Sequence, residues 1–162
     1  MIYTTRYASP LGDILLAARA NALVGLWFDG QRYFAAGLSP APVRRDDLPL
    51  FDDVRAFLDA YFLGKNPSPH RIPTDPTGTP FQKRVWAALR DIPHGQTTTY
   101  GAIAARIGAH PRAVGAAVGR NPISIIIPCH RVVGVRGAIT GYAGGVNRKE
   151  KLLALEQDGF WP

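Results

Sequence analysis

A chain of 162 residues, 46% of them hydrophobic, can bury one core or two small ones, and its single cysteine excludes an internal disulfide and any multi-cysteine zinc site. No apolar run approaches membrane-spanning length and nothing resembles a secretory leader, so a soluble cytoplasmic protein is expected. The formal charge of +7 is unevenly placed: residues 1–78 carry eight basic and eight acidic side chains, the remainder eleven against four.

The first third alternates with period two. Met1–Tyr7, Ile14–Arg19 and Leu23–Phe28 read as strands, broken at Ser9-Pro10-Leu11-Gly12 and Ala20-Asn21. Gly30 to Arg45 is rich in Gly, Pro and Arg and reads as loop. Asp47–Leu63 reads as an amphipathic helix with Leu50, Val54, Phe57, Leu58 and Tyr61 on one stripe, stopped by Gly64. Pro67, Pro69, Pro73 and Pro76 then form an extended linker to Gly78, where the domain boundary is placed. Thr79-Pro80-Phe81-Gln82 is a capping box with proline at the first helical position. The helix it opens has Phe81, Val85, Ala88, Leu89 and Ile92 as its buried stripe. Thr99 caps a short helix to Ile107, Gly108 stops it, and Pro111 opens another that reaches Gly119. Such a pair matches a helix-turn-helix, a weak signal by itself. Arg148–Gly159 supplies the last helix.

Ala113, Gly115, Ala116, Ala117 and Gly119 leave the second helix of the pair almost bare. Small residues permit close helix packing. They equally suit close approach to sugar and backbone in a minor groove, whereas major-groove reading calls for Arg, Asn or Gln. A basic surface is often only a solvated face. Basicity confined to the half that holds the cysteine argues for a polyanion bound near it.

Cys129 follows Ile125-Ile126-Ile127-Pro128 and precedes His130-Arg131. Proline cannot continue a central strand, so the backbone turns and presents the thiol beside an imidazole and a guanidinium, surroundings expected to favour thiolate. The alternative is an inert buried cysteine. His130 is the candidate base, or a histidine satisfied by a backbone carbonyl. Glu156 lies one turn after Leu152 and Leu153, on the apolar face, where a carboxylate needs a partner; the alternative is a helix-end glutamate in solvent. Asn121 precedes Pro122 and ends the second helix of the pair. His70, His94, His110 and His130 show no metal-ligand spacing, so neither a metal nor another cofactor is expected.

Ile127-Pro128-Cys129-His130-Arg131-Val132 resembles the active-site signature of the O6-alkylguanine-DNA alkyltransferases. Arg112-Ala113-Val114-Gly115, Asn121-Pro122, Gly141-Tyr142-Ala143-Gly144-Gly145 and Lys149–Glu156 follow in that family's order and spacing. The resemblance, which covers Thr79 to about Glu156, implies an α/β protein. Residues 1–78 would form a small sheet-and-helix, ribonuclease-H-like scaffold domain. Residues 79–162 would form a mainly helical, winged-helix-like domain with the helix-turn-helix. It further implies direct reversal of DNA damage: a suicidal, single-turnover transfer of a methyl or larger alkyl group from O6 of guanine, or O4 of thymine, to Cys129.

By the same resemblance His130 is the base, acting on the thiol directly or through one water, Glu156 orients His130, and Asn121 braces the active-site turn. Tyr100, Val132, Tyr142, Ala143 and Gly144 would line the base pocket. There the Tyr100 hydroxyl donates to the flipped guanine, the Val132 carbonyl accepts from its exocyclic amine, and the Ala143 N–H faces O6. Arg112 would be the finger that fills the stack left by the extruded nucleotide. Ala113, Gly115 and Ala116 would approach the minor groove, while Thr97, Thr98 and Thr99 would bind phosphate or serve only as caps. Many relatives carry serine or glycine where this chain has Ala143, which leaves the preferred adduct size open.

The partner implied is double-stranded DNA carrying O6-alkylguanine, bound by a monomer, with clustering of copies along DNA left open. The protein would be cytoplasmic, on the nucleoid when bound. Three rivals differ observably. A non-catalytic alkylated-DNA-binding relative lacks the acceptor cysteine. A helix-turn-helix transcription factor prefers one operator, and a Cys-His hydrolase needs an oxyanion hole and turns over.

Overall fold

A computed structural model describes residues 1–39 and 41–159; Pro40, within the predicted loop, and residues 160–162 lie outside the described residues. Strands β1 (Ile2–Ser9), β2 (Gly12–Arg19) and β3 (Ala22–Phe28) form an antiparallel meander. Their registers pair Ser9 with Gly12 and Arg19 with Ala22, so each hairpin closes over two residues at the predicted breaks. Gly12 takes φ +112°, which a side chain would resist. Inside the predicted loop a two-residue strand, β4 (Val43–Arg44), pairs parallel to β1. Two residues are too few to carry a period.

The outer edge of β3 is covered rather than left open. Leu23 N–H donates to Pro73 O and its carbonyl accepts from Asp75 N–H, at 2.9 and 2.8 Å. Further along, Leu26 N–H donates to Pro122 O at 2.9 Å and its carbonyl accepts from Ser124 N–H at 3.1 Å. The N-terminal sheet thus grips first the proline-rich linker and then the segment that leads to Cys129.

Helix α1 (Pro49–Phe62) starts two residues later than predicted, with proline in its first turn and no side-chain cap. It buries Phe51 and Phe62 as well as Val54, Phe57, Leu58 and Tyr61. The opposite sheet face buries a smaller cluster of Ile2, Ala17, Val24 and Trp27.

The C-terminal half opens with α2 (Pro80–Leu89), where the capping box forms: Gln82 N–H donates to Thr79 Oγ1 at 3.1 Å and Thr79 N–H to Gln82 Oε1 at 2.9 Å. The helix stops before Ile92, which is buried through the following turn. Trp86, outside the predicted stripe, is buried and donates Nε1–H to Ala117 O at 2.8 Å, tying α2 to the helix-turn-helix. That motif is α3 (Tyr100–Ile107) and α4 (Pro111–Gly119), separated by Gly108 in the left-handed region; His110 Nδ1 caps α4 by accepting from Arg112 N–H at 3.1 Å. β5 (Thr98–Thr99) pairs parallel to β6 (Val132–Val133), and α5 (Val146–Asp158) closes the chain.

The architecture is α/β: a sheet-and-helix N-terminal part and a helical C-terminal part. One hydrophobic cluster runs from Ile14 to Leu155, so the two parts share a core. Among the described residues no helix is long and apolar enough to cross a membrane.

Candidate active site and groove

The chain does not run as a strand into Pro128. It turns already at Ser124–Ile127, and Ile125 takes φ +69°, a left-handed conformation that costs a β-branched residue about 1–2 kcal/mol. Asn121 holds this turn. Its Nδ2 donates to Ile127 O at 2.8 Å and to Ile123 O at 3.4 Å, while its Oδ1 accepts from Ile123 N–H at 3.0 Å. Cys129 then opens a single 3₁₀ turn through Arg131 that leads into β6.

The thiol is only 4% exposed. Burial pushes its pKa up to about 11, against the lowering influence of the Asn121 side chain and the Lys149 ammonium. The sequence expectation of a thiolate-favouring turn is therefore corrected. Arg131 does not serve the sulfur: its Nε donates to Glu156 Oε1 at 2.7 Å, its Nη2 to Oε2 at 3.2 Å and its Nη1 to Ile92 O at 2.7 Å.

Glu156 is buried, not at the helix surface. Its Oε2 accepts from the Tyr61 hydroxyl at 2.6 Å and faces His130 Nε2 at 2.5 Å. Burial alone would raise its pKa, but the charges and hydrogen bonds of His130 and Arg131 outweigh this and hold it well below the usual carboxylate range. An ionised carboxylate can only accept, so Nε2 of His130 carries the proton. In the neutral ring the lone pair then falls on Nδ1, which is buried and without a hydrogen-bond partner among the described residues.

Lys149 is wholly buried, and its Nζ donates to Val132 O at 2.6 Å and to Thr140 O at 3.3 Å. The Val132 carbonyl is thus already engaged on one of its two lone pairs. A groove of about 1100 Å³ reaches Cys129 and is lined by Tyr100, Arg112, Ala113, Gly115, Ala116, Tyr142 and Ala143. Tyr100 OH lies 3.1 Å from Thr140 Oγ1. Gly144 is buried behind the groove wall, where a Cβ would stand 2.5 Å from the Tyr142 ring. Thr97, Thr98 and Thr99 do not line the groove; Thr99 Oγ1 caps α3 by accepting from Ala102 N–H at 3.0 Å, and Thr98 and Thr99 form β5.

Residues 2–76 match the family model described as 6-O-methylguanine DNA methyltransferase, ribonuclease-like domain, and residues 80–158 match its DNA binding domain. The chain belongs to the 6-O-methylguanine DNA methyltransferase family. It is 42% identical over 158 residues to the methylated-DNA–protein-cysteine methyltransferase of Haemophilus influenzae, covering 96% of this chain and 87% of that one. It is 44% identical over 159 residues to that of Mycobacterium leprae, covering 97% and 93%. The crystal structure of Mycobacterium tuberculosis OGT in complex with DNA matches with a TM-score of 0.86 at 41% identity, over 98% of this chain and 94% of that chain. The likeness read from Thr79 onward thus extends through the N-terminal half.

Sequence reasoning missed several residues of this methyltransferase site. Lys149 had a signal: with Leu152, Leu153 and Glu156 it falls at i, i+3, i+4 and i+7, on the buried stripe of α5. Tyr61 was read only as core, although a buried phenol needs a partner for its hydroxyl. Arg32, Tyr33 and Arg120 also line the groove, and nothing local marked them. Arg148, read only as a helix start, ties the halves together. It donates to Leu11 O and Gly144 O, both at 2.9 Å, and to Asp29 O at 3.2 Å.

Proposed function

We propose that this methyltransferase family member repairs DNA by moving a methyl or larger alkyl group from O6 of guanine, or O4 of thymine, onto Cys129, once per molecule. The observation that carries this reading is the position of Cys129 at the end of a groove walled by the helix-turn-helix, backed by the Glu156–His130 pair. A thiol with a pKa near 11 is ionised only about one part in 10⁴ at neutral pH, so it needs a base at the moment of attack. His130 Nδ1 takes its proton through one water, and Glu156 holds the Nε2–H tautomer and steadies the charge that forms. The S–C bond forms as the C–O bond breaks. The electron pair stays on the nucleobase, which takes a proton from the Tyr100 hydroxyl, and the proton held by His130 makes that loss good through solvent, leaving guanine and S-alkyl-Cys129.

Double-stranded DNA approaches through its minor groove, with Ala113, Gly115 and Ala116 against the backbone. Arg112 fills the stack left by the flipped nucleotide, whose extrusion costs a few kcal/mol. Val132, Tyr142, Ala143 and Gly144 shape the pocket, and Asn121 braces the turn beneath it. The protein acts as a monomer in the cytoplasm, on the nucleoid when bound, with the boundary between its two domains at Gly78 and Thr79. The test is intact mass after incubation with duplex carrying O6-methylguanine. A gain of one methylene mapped to Cys129 is expected, and an unchanged mass overturns the proposal.

Glu156→Gln is expected to slow transfer at neutral pH by on the order of 10²-fold, the low end of what a general base contributes. The amide keeps the shape but loses the charge that favours proton uptake by His130. The rate should recover as pH rises toward the thiol's own ionisation near 11, so the profile shifts to the alkaline side. Single-turnover rates across pH check this, and an unshifted profile would remove Glu156 from the relay.

A further inference from the structure

We propose that Arg32 of the N-terminal half and Arg120 of the C-terminal half, joined through Tyr33, form a clamp for a backbone phosphate at the rim of the groove, so that both halves hold DNA. The proposal rests on the DNA-repair reading and gives the half whose net charge is zero a share in that contact through Arg32.

Three observations converge on this clamp. First, the guanidinium carbons of Arg120 and Arg32 lie 3.8 and 4.8 Å from the centre of the Tyr33 ring. The ring attracts each cation, but the two cations repel one another, so the arrangement is short of an anion. Second, five of the N-terminal arginines, at positions 6, 19, 44, 45 and 55, each pair with an aspartate. Among the described residues neither Arg32 nor Arg120 forms an ion pair, and no carboxylate lines the groove that both share with Arg112 and Cys129.

Third, the loop that carries Arg32 is built to a definite shape. Tyr33 and Ala35 take φ of +60° and +56°, unusual for residues with side chains. The buried Gln31 accepts from Phe28 N–H at 2.8 Å, and Arg32 N–H donates to Ala143 O at 2.9 Å. Arg32 is therefore fixed to the same loop that lines the base pocket. A planar guanidinium fork matches phosphate oxygens, and DNA supplies a phosphate at every nucleotide beside a flipped base.

The test is the affinity of the full chain for undamaged duplex across salt concentrations, a readout independent of alkyl transfer. Failure of the repair reading and failure of the clamp are thus separately visible. Arg32→Gln is expected to weaken binding about three- to ten-fold near 0.1 M salt and to lower the salt slope by about one. Arg120→Gln should do the same. Tyr33→Leu should lose affinity with less change in slope, because both charges remain. Arg71→Gln, an equal charge change on an exposed segment away from the groove, serves as control and should bind like the parent. If Arg32→Gln melts early, Arg32→Lys, which keeps the charge and loses the fork, supplies the reading through a partial loss of affinity. Unchanged affinity and slope in the Arg32 variants overturn the clamp. So does inorganic phosphate binding that depends on Arg32 while duplex binding does not, which would make this a site for a free anion.

Discussion

Cys129→Ser is expected to abolish alkyl transfer while leaving binding to methylated duplex nearly intact. The hydroxyl fits the space of the thiol, and the residue sits in a turn held by Asn121 and by β6, neither of which depends on sulfur. What is lost is nucleophilicity: a hydroxyl ionises far less readily than a thiol, and burial that already lifts the thiol to about 11 penalises an alkoxide as well. Direct displacement at a saturated carbon suits the polarisable thiolate. Single-turnover demethylation and duplex affinity measured on the same preparation decide the matter. Residual transfer by the serine variant would place the acceptor elsewhere.

Arg131→Leu should have the largest effect on stability, a loss of about 3–5 kcal/mol, because it leaves the buried Glu156 carboxylate without its guanidinium. It also frees Ile92 O from the bond that ties the turn after α2 to the active-site turn. Glu156→Leu combined with Arg131→Leu should recover much of the loss, since an apolar pair of similar volume needs no compensation. The sign with pH follows from the depressed pKa of Glu156. Its contribution is complete above the unfolded value near 4.3 and is lost as pH falls below that, so the Arg131 variant should lose less on acidification than the parent. Denaturant midpoints across pH check both effects. A loss under about 1 kcal/mol would mean that Glu156 is not held in its charged form by Arg131.

The N-terminal half does more than support the fold. Tyr61 from α1 donates to the carboxylate behind His130, and Arg148 fastens Gly144 to the turns that end β1 and β3. The edge of β3 pairs with Pro122 and Ser124, just before the turn that carries Cys129. Substitutions between β1 and the end of α1 can therefore change the chemistry without touching the cysteine.

What the sequence determined by itself was whatever local chemistry writes into a short stretch. The three strands, their two-residue turns, the capping box at Thr79 and the glycine stop at Gly108 each depend on neighbours in the chain. The acceptor cysteine, the histidine beside it and the glutamate on an apolar helix face were legible for the same reason. Only the tertiary structure decided which partner each group takes. Arg131 stands two positions after the thiol in sequence, yet its guanidinium binds a carboxylate 25 positions away. Tyr61 reaches that same carboxylate across 95 positions. The thiol's high pKa likewise belongs to no motif, since desolvation is a property of everything packed around the sulfur. Nor could Arg32 be marked as part of the groove, because one arginine in a loop of mixed composition carries no period and no cap, and only the fold of the whole chain brings it to Arg120.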